Sequence, residues 1–296
     1  MNKNISELYP DFLVKIINNR INYFVERYNQ APQILKKAID YSMKNGGKRF
    51  RPVLCLLVAE SLGKDFEIVI PTACAIEFIH TYSLIHDDLP SIDNDDYRRG
   101  RLTCHKIFGE SIAILTGDAL FAEAFNIILK YQECSPEIKL SILKEIGEAS
   151  GVSGMVAGQT VDVYYTGKKI SEKLLECMHE NKTGKLITAA IKCGAILSEA
   201  CDDYIKKFIH YGNNIGLVFQ ITDDILDLES TKEITGKTTG KDTLQKKNTF
   251  PSIYGIPKSK KIAAEKIKEA IDIVKSMDIK SEWLIKIAEF LLIRKN

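Results

Sequence analysis

The chain has 296 residues, of which 45% are hydrophobic and 27% are charged, with 41 Lys and Arg against 39 Asp and Glu. This apolar content excludes a disordered chain, and 18 Gly with 8 Pro are too few for a fibrous repeat. A net charge of only +2 excludes a protein that binds nucleic acid or anionic membranes through its overall charge.

Helical periodicity runs along the whole chain, and sustained strand-like alternation is absent from the sequence. The first predicted helix begins after Pro10 and carries apolar residues at helical spacing as far as Tyr28. A second clear helix begins at Pro71 and ends before Pro90. Later helices are predicted at 111–131, 136–163, 171–198, 202–228 and from 257 to the end. Because the breaks between them are short or polar, we expect one all-α domain spanning residues 1–296.

The cysteines and the apolar segments indicate the compartment. Seven cysteines are scattered along the chain without a Cys-x-x-Cys pair, which is typical of reduced thiols. Asp11 and Lys15 interrupt the apolar N-terminal segment, and the apolar run at 53–59 is too short to cross a bilayer. We therefore expect a soluble cytoplasmic protein with no signal peptide and no membrane span.

An acidic cluster at Asp223, Asp224 and Asp227 lies within an apolar helical pattern. Asp223 and Asp227 are four residues apart, so both carboxylates project from one helix face, where like charges repel each other. Burial among Leu and Ile would raise the energetic cost further. A bound cation would remove the conflict, and a solvated acidic helix end is the simpler alternative for an isolated cluster.

A second acidic cluster reduces the weight of that alternative. Asp87 and Asp88 end the helix before Pro90, and a turn at Pro90 can bring Asp93 back toward Asp87. His80 lies on the same helix face as Asp87. These candidate ligands are hard oxygens without Cys, which suits Mg²⁺ better than Zn²⁺. Because Mg²⁺ usually completes its shell with water and phosphate oxygens, the clusters predict a phosphorylated substrate.

Basic residues lie close to both acidic clusters. Arg98 and Arg99 follow the first cluster, and the segment 46–52 combines a Gly-Gly turn with basic side chains. Such a turn lets the backbone approach an anion, and Arg offers a planar fork to phosphate oxygens. Each stretch alone is equally compatible with a solvated basic turn. Together with the carboxylates they predict two anionic ligands, one held through metal and one held directly.

At this point the motifs resemble the trans-isoprenyl diphosphate synthases, and those of the bacterial farnesyl diphosphate type most closely. The resemblance covers nearly the whole chain and rests on segments 46–52, 79–90, 98–100, 117–120, 158–162, 182–184 and 219–227. It implies an all-α, single-domain bundle of about a dozen helices around a central cavity. It also implies a homodimer in which each active site lies inside one subunit.

The resemblance further implies a Mg²⁺-dependent prenyltransferase. The enzyme would condense isopentenyl diphosphate with dimethylallyl or geranyl diphosphate and release farnesyl diphosphate and diphosphate. About three Mg²⁺ would bind, and the direct ligands would be Asp87, Asp93 and Asp223. The supporting carboxylates would be Asp88, Asp224 and Asp227.

Substrate contacts are carried over from the same resemblance. The allylic diphosphate would contact Arg98, Lys182 and Lys237. Isopentenyl diphosphate would contact Lys48, Arg51, His80 and Arg99. Thr183 and Gln220 would lie beside the developing allylic cation, and Lys247 matches a further basic position. The basic tail Arg294-Lys295-Asn296 would close over isopentenyl diphosphate, or it is a solvated terminus.

Product length is predicted from the helix that ends in the first acidic cluster. Tyr82 lies five residues before Asp87, about 7.5 Å further down the helix at ~1.5 Å per residue. A bulky residue there stops chain growth at fifteen carbons in related enzymes, and the neighbouring Ser83 is small. An aromatic core residue is the simpler interpretation of Tyr82, and it is compatible with that role.

Four alternatives remain open at this stage. Geranyl or geranylgeranyl diphosphate synthases share the motifs. A terpene cyclase shares the ionisation chemistry but would not need the second diphosphate site predicted around segment 46–52 and His80. A catalytically silent partner subunit typically lacks one acidic motif, and both are present here. An HD-type metal phosphohydrolase would need more His ligands than five histidines in the chain supply.

Overall fold

The computed structural model describes residues 8–229 and 247–294, and those residues form an all-α bundle. The N-terminal half contains α1 (Asp11–Glu26), α2 (Gln33–Met43), α3 (Phe50–Ser61), α4 (Ile70–Asp87), α5 (Cys104–Phe108) and α6 (Glu110–Tyr131). The C-terminal half contains α7 (Pro136–Ser150), α8 (Met155–Tyr164), α9 (Glu172–His179), α10 (Lys185–Leu197), α11 (Asp202–Glu229), α12 (Phe250–Tyr254), α13 (Ile256–Lys275) and α14 (Glu282–Ile293). The predicted all-α fold is confirmed.

Short elements connect some of these helices. A 3₁₀ helix, Phe66–Val69, precedes α4, and a π-helical segment, Glu180–Gly184, joins α9 to α10. Strands β1 (Tyr97–Arg98) and β2 (Arg101–Leu102) form an antiparallel hairpin in which Arg98 pairs with Arg101. The hairpin holds the two consecutive arginines just after the first acidic cluster.

Proline and capping residues define the helix starts as the sequence indicates. Pro71 lies in the first turn of α4, where its missing N–H removes no helical hydrogen bond. The Ser135 and Ser171 side chains accept the backbone N–H groups of residues three positions later at the starts of α7 and α9. The α3 and α4 helices are buried along most of their length and form the centre of the core.

Three predicted long helices are interrupted in the structure. The stretch 136–163 separates into α7 and α8, because Gly151 (φ −88°, ψ −152°) and Gly154 (φ −132°, ψ −129°) leave the helical conformation. The stretch 171–198 contains the π-helical segment. The C-terminal stretch separates into α13 and α14. Apolar periodicity continues across each interruption, so the sequence pattern does not reveal it.

Two stretches, Phe66–Asp87 and Glu110–Tyr131, are long and apolar enough to cross a membrane. Most of the first, 72%, is buried inside the bundle, which explains its composition as a core helix. Only 39% of the second is buried, and Ile114, Leu115 and Leu129 of α6 are exposed. The α6 surface, defined by these three side chains, is therefore apolar without being covered by the described chain.

Candidate active site

The first acidic cluster lies at the C-terminal end of α4, where the chain turns back on itself. The Asp93 N–H donates to the Asp87 carbonyl oxygen at 2.9 Å, and the Asp95 N–H donates to the Asp88 carbonyl oxygen at 3.1 Å. These bonds fold the loop after Pro90 against the helix end. The predicted return of Asp93 toward Asp87 is confirmed.

Asp87 is a carboxyl group in an unfavourable electrostatic position. Burial raises the pKa of Asp87 to about 6, and Asp93 adds to the increase while Lys182 opposes it. The ionised form is therefore destabilised at neutral pH. A divalent cation between the two carboxylates would relieve this cost.

Asp88, the next residue, has a different environment. Its carboxylate accepts Arg98 Nε at 2.8 and 2.9 Å and Arg98 Nη2 at 2.5 Å. Burial lowers the pKa of Arg98, but Asp88 outweighs this effect, so the pKa is raised overall. Asp88 is only 3% exposed. Its carboxylate is thus committed to holding Arg98, which favours a supporting role rather than direct metal ligation.

Two lysines bridge the carboxylates beneath the first cluster. Lys182 Nζ lies 2.6 Å from Asp162 Oδ2, and Lys247 Nζ lies 2.9 Å from Asp93 Oδ1 and 4.0 Å from Asp162 Oδ2. Burial lowers the pKa of Lys182, but Asp162, Asp87 and Asp93 outweigh it and raise the pKa overall. Burial likewise raises the pKa of Asp162, and the two lysines bring it below its usual value. Lys182 is therefore charged at physiological pH.

The π-helical segment places Lys182 and Thr183, and two glycines allow it to fit. A Cβ atom at Gly158 of α8 would lie 2.1 Å from the Lys182 backbone nitrogen. A Cβ atom at Gly216 of α11 would lie 2.7 Å from Gly184 Cα. The segment is thus packed directly against the backbones of two helices. π-Helical turns occur frequently at functional sites, where they re-aim side chains.

The second acidic cluster contains a chain of hydrogen bonds at Asp224. Thr183 Oγ1 donates to Gln220 Oε1 at 2.6 Å, and Gln220 Nε2 donates to Asp224 Oδ1 at 2.7 Å. The Phe250 N–H donates to Asp224 Oδ2 at 2.9 Å. Asp224 is 3% exposed. Like Asp88, it holds neighbouring groups in place.

Asp223 projects about 100° around α11 from Asp224, and its side chain is 49% exposed. Arg294 Nη2 lies 2.6 Å from Asp223 Oδ1 and also donates to Thr222 Oγ1 and to the Phe219 carbonyl oxygen. The Arg294 guanidinium lies over the Phe219 ring at 4.1 Å. The predicted tail therefore reaches the second acidic cluster through Arg294, while residues 295 and 296 lie outside the described residues. Asp227, one helical turn after Asp223, is half-buried.

The predicted diphosphate-binding arginines gather around the Gly-Gly turn. The Arg99 guanidinium donates to the Gly46 carbonyl oxygen. A Cβ atom at Gly47, whose φ is +115°, would lie 2.5 Å from Arg99 Cζ. Glycine is therefore required for this contact. Arg51 lies 5.9 Å from the Phe219 ring, and its Nε is buried without a hydrogen-bond partner among the described residues.

His80 and Lys48 complete this cationic region. Burial lowers the pKa of His80 well below its usual value, and Arg51, Arg99 and Arg98 lower it further. Burial also lowers the pKa of Lys48 to about 8. Concentrated positive charge makes extra protons unfavourable, and it favours a bound polyanion such as a diphosphate.

Tyr82 lies in an aromatic cluster formed with α6, in which neighbouring rings pack edge to face. Its ring centroid is 5.1 Å from that of Phe121, which in turn lies 5.3 Å from Phe125. Ser83 Oγ donates to the His80 carbonyl oxygen at 2.9 Å. Below the first acidic cluster, α4 and α6 therefore bring bulky aromatic side chains together.

Three residues of the site were not predicted from the sequence. The buried His179 packs on Phe250, and Arg49 pairs with the buried Glu77 at 2.8 Å. A lone acidic residue in an apolar helix, as Glu77 is, could have signalled such a pair. Lys237, a predicted catalytic residue, lies outside the described residues.

The donor set fits Mg²⁺ only in combination with an anionic ligand. Within residues 8–229 and 247–294, no group of three His, Cys, Asp or Glu side chains gathers closely enough to hold a metal by itself. The available donors are carboxylate oxygens in pairs, which Mg²⁺ accepts when phosphate oxygens and water complete its shell. Acidic motifs beside fixed cations can therefore bind and ionise a diphosphate ester.

Comparisons with known proteins agree over nearly the entire chain. A family model described as polyprenyl synthetase matches residues 32–287. A geranylgeranyl diphosphate synthase of Cyanophora paradoxa is 43% identical over 284 residues, 95% of this chain and 94% of that protein. A farnesyl diphosphate synthase of Micrococcus luteus is 46% identical over 267 residues, 90% of each. The structure of a Helicobacter pylori geranyltransferase complexed with magnesium and isoprenyl diphosphate has a TM-score of 0.81 at 32% identity and covers 94% of both chains.

Proposed function

The chain belongs to the polyprenyl synthetase family and is a prenyltransferase, and from this premise we propose that it makes farnesyl diphosphate. It would join isopentenyl diphosphate to dimethylallyl or geranyl diphosphate and release diphosphate. The observation that carries this proposal is the cluster of Asp162, Lys182 and Lys247, which links Asp93 of the first acidic motif to the π-helical segment. The fixed cations of this cluster support a binding site for the leaving diphosphate beside Asp93.

The residues around the leaving group would stabilise negative charge as it develops. Lys182 and Arg98 are held in place by Asp162 and Asp88, so little reorganisation accompanies ionisation. Mg²⁺, when bound, supplies Lewis-acid stabilisation of the diphosphate oxygens. We propose Asp87, Asp93 and Asp223 as its direct ligands, with about three ions per site.

The allylic cation would form next to Thr183 and Gln220. The Gln220 amide directs its NH₂ group toward Asp224 and its oxygen toward Thr183, so acceptor oxygens face the π-helical segment. Oxygen lone pairs stabilise a carbocation, whereas N–H donors would oppose it. No protein nucleophile is needed, because the double bond of isopentenyl diphosphate attacks the cation and the released diphosphate can take the proton.

Isopentenyl diphosphate would bind in the cationic region near the Gly-Gly turn. Arg51 and Arg99 are close enough to His80 to lower its pKa, and Lys48 follows the Gly-Gly turn with its Nζ over the Phe290 ring at 4.7 Å. These residues differ from the lysines that hold Asp162 and Asp93. Two cationic regions for two diphosphates distinguish this site from that of a terpene cyclase. Both acidic motifs are complete, which disfavours a silent partner subunit.

A C15 product is supported by the aromatic cluster below the first acidic motif. Tyr82 and Phe121 contribute one ring each from α4 and α6, and together they would stop a growing chain. A relative of similar identity is a geranylgeranyl diphosphate synthase, so a C20 product is the second candidate.

We also propose that the enzyme is a homodimer formed through the α6 surface. Ile114, Leu115 and Leu129 are 44%, 55% and 54% exposed, which is unusual for three large side chains of one helix. Light scattering after size-exclusion chromatography would test this proposal. A Leu115→Glu variant should become monomeric, whereas a monomeric wild-type protein would contradict the proposal. The seven free cysteines support a cytoplasmic location.

Incubation with Mg²⁺, isopentenyl diphosphate and geranyl diphosphate tests the activity directly. The products would be dephosphorylated and separated by chromatography, and farnesol is the expected main product. Parallel reactions would contain EDTA or the Asp223→Asn variant, both of which should abolish condensation. Absence of any condensed product from the wild-type protein would refute the proposed function.

A further inference from the structure

His179, the last residue of α9, is a buried imidazole next to the second acidic motif. It is 3% exposed, and both ring nitrogens lack a hydrogen-bond partner within the described ranges. Its Nε2 lies 3.6 Å from Asp224 Oδ2, slightly beyond hydrogen-bond distance. Its ring stacks on Phe250 with centroids 5.4 Å apart and planes 25° from parallel. Buried polar atoms without partners are rare, so this arrangement calls for a functional explanation.

The ring lies close to two groups that organise the site. One is Asp224, which binds Gln220 and the Phe250 N–H. The other is Asp162, which holds the two lysines and is close enough to influence the pKa of His179. Burial lowers that pKa to about 3, so the ring is neutral at physiological pH. A neutral imidazole carries one N–H, and a facing carboxylate favours the tautomer with the proton on Nε2.

We propose that His179 is a positioning residue for the condensation: its Nε2–H donates to Asp224 in the substrate-bound enzyme and fixes the Gln220 amide beside the allylic cation. This inference rests on the proposed function. Catalytic hydrogen bonds are often long in the free enzyme and shorten when substrates bind. A shift of about half an ångström would bring the 3.6 Å contact into hydrogen-bond range.

The proposed bond would act by fixing the orientation of the Asp224 carboxylate. Oδ1 must face Gln220 and Oδ2 must face the Phe250 N–H for both existing bonds to persist. A hydrogen bond donated by His179 to Oδ2 would favour this orientation of the carboxylate over others. Without that donor, Gln220 can flip its amide and present N–H groups toward the cation, which would raise the barrier to ionisation.

Two substitutions separate the contribution of the stacked ring from that of its N–H donor. His179→Phe keeps the stack on Phe250 and the burial but removes both nitrogens. His179→Gln loses the stack but can place an amide N–H where Nε2 lies. We expect His179→Phe to lower kcat roughly ten- to hundredfold with little change in either KM, and His179→Gln to recover kcat to within about threefold of wild type. His210→Phe, at an exposed position on α11, is the matched control and should leave kcat unchanged.

A second readout reports on the cation itself. If Gln220 is misplaced, more of the allylic cation should be trapped by water, so His179→Phe should release more geraniol per condensed product than wild type. His179→Phe and Asp224→Asn should also be non-additive in kcat, because both break the same bond. Wild-type kcat in the Phe variant, or a kcat that follows only the melting temperature in both variants, would overturn the proposal.

The tautomer can be observed without turnover. Nitrogen-15 NMR of histidine-labelled enzyme with Mg²⁺ and inorganic diphosphate should show a neutral Nε2–H ring that is absent from the His179→Phe spectrum. A neutral Nδ1–H ring at this position would contradict the proposal. Failure of the wild-type enzyme to condense substrates would instead refute the proposed function, so the two failures are distinguishable.

Discussion

Asn substitutions at the adjacent residues Asp87 and Asp88 should change stability in opposite directions. Asp87 is destabilised in its ionised form, with a pKa raised to about 6 by burial. An increase of about two pKa units corresponds to ~3 kcal/mol lost at pH 7, which Asp87→Asn should recover. Asp88 forms a buried pair with Arg98. Asp88→Asn leaves that guanidinium without its main counter-charge and should cost about 3 kcal/mol.

The assay is thermal unfolding of the metal-free protein, followed by circular dichroism at pH 7. At roughly 2 °C per kcal/mol for a chain of this size, Asp87→Asn should raise the melting temperature by about 6 °C and Asp88→Asn should lower it by a similar amount. Both variants should nevertheless lose turnover. Asp87→Asn would remove a proposed metal ligand, and Asp88→Asn would release Arg98.

The dependence on pH provides the internal control. The pKa of Asp87 is higher in the folded than in the unfolded chain, so its contribution to stability is fully present below pH 3.8 and is lost as pH rises through about 6. The advantage of Asp87→Asn should therefore shrink from ~3 kcal/mol at pH 7 to about half of that at pH 5. Comparing the stability of variant and wild type at each pH cancels the contributions of other titrating groups, such as His179. An Asp87→Asn protein that is no more stable than wild type at pH 7 would refute the reasoning.

Three further substitutions test the product barrier and the glycine contacts. Tyr82→Ala should shift the products toward twenty carbons in chromatography, and unchanged farnesyl diphosphate would mean that the barrier lies elsewhere. Gly47→Ala should raise KM for isopentenyl diphosphate roughly tenfold in steady-state assays, because the added Cβ would lie 2.5 Å from Arg99 Cζ. An equal rise in KM for the allylic substrate would contradict this explanation. Gly158→Ala should lower kcat by roughly a hundredfold by displacing the π-helical segment, whereas Gly147→Ala, with nothing within 4 Å of its Cβ, should be neutral.

Much of the fold follows from apolar spacing and proline positions. The predicted helices at 72–89, 111–131 and 202–228 differ from α4, α6 and α11 by no more than two residues at either end. The breaks at Gly154 and in the π-helical segment were not predicted. The first depends on glycines that leave the helical conformation, and the second depends on contacts with the distant backbones of α8 and α11. Periodicity along the sequence encodes neither.

At the site too, the sequence predicts which types of residue take part but not which tertiary contacts they make. Carboxylates and cations were recognised because their chemistry is unusual in apolar helices. That Asp88 and Asp224 hold neighbouring groups, while Asp223 is exposed, depends on partners far away in sequence: Asp224 meets Phe250, 26 residues later. His179 was missed because its role depends on a stacked ring and a carboxylate that only the fold brings together.

Because of the π-helical segment, the number of residues in this part of the chain matters for function. A π turn holds one residue more than an α turn, so it changes the angular phase of everything after it by about 100°. Removing any one residue between Glu180 and Gly184 would restore a regular helix. Either Lys182 and Thr183 would then rotate away from the site, or α10 would turn its apolar face out of the core. Deletions here should therefore be far less tolerated than substitutions, even of residues whose side chains contact nothing.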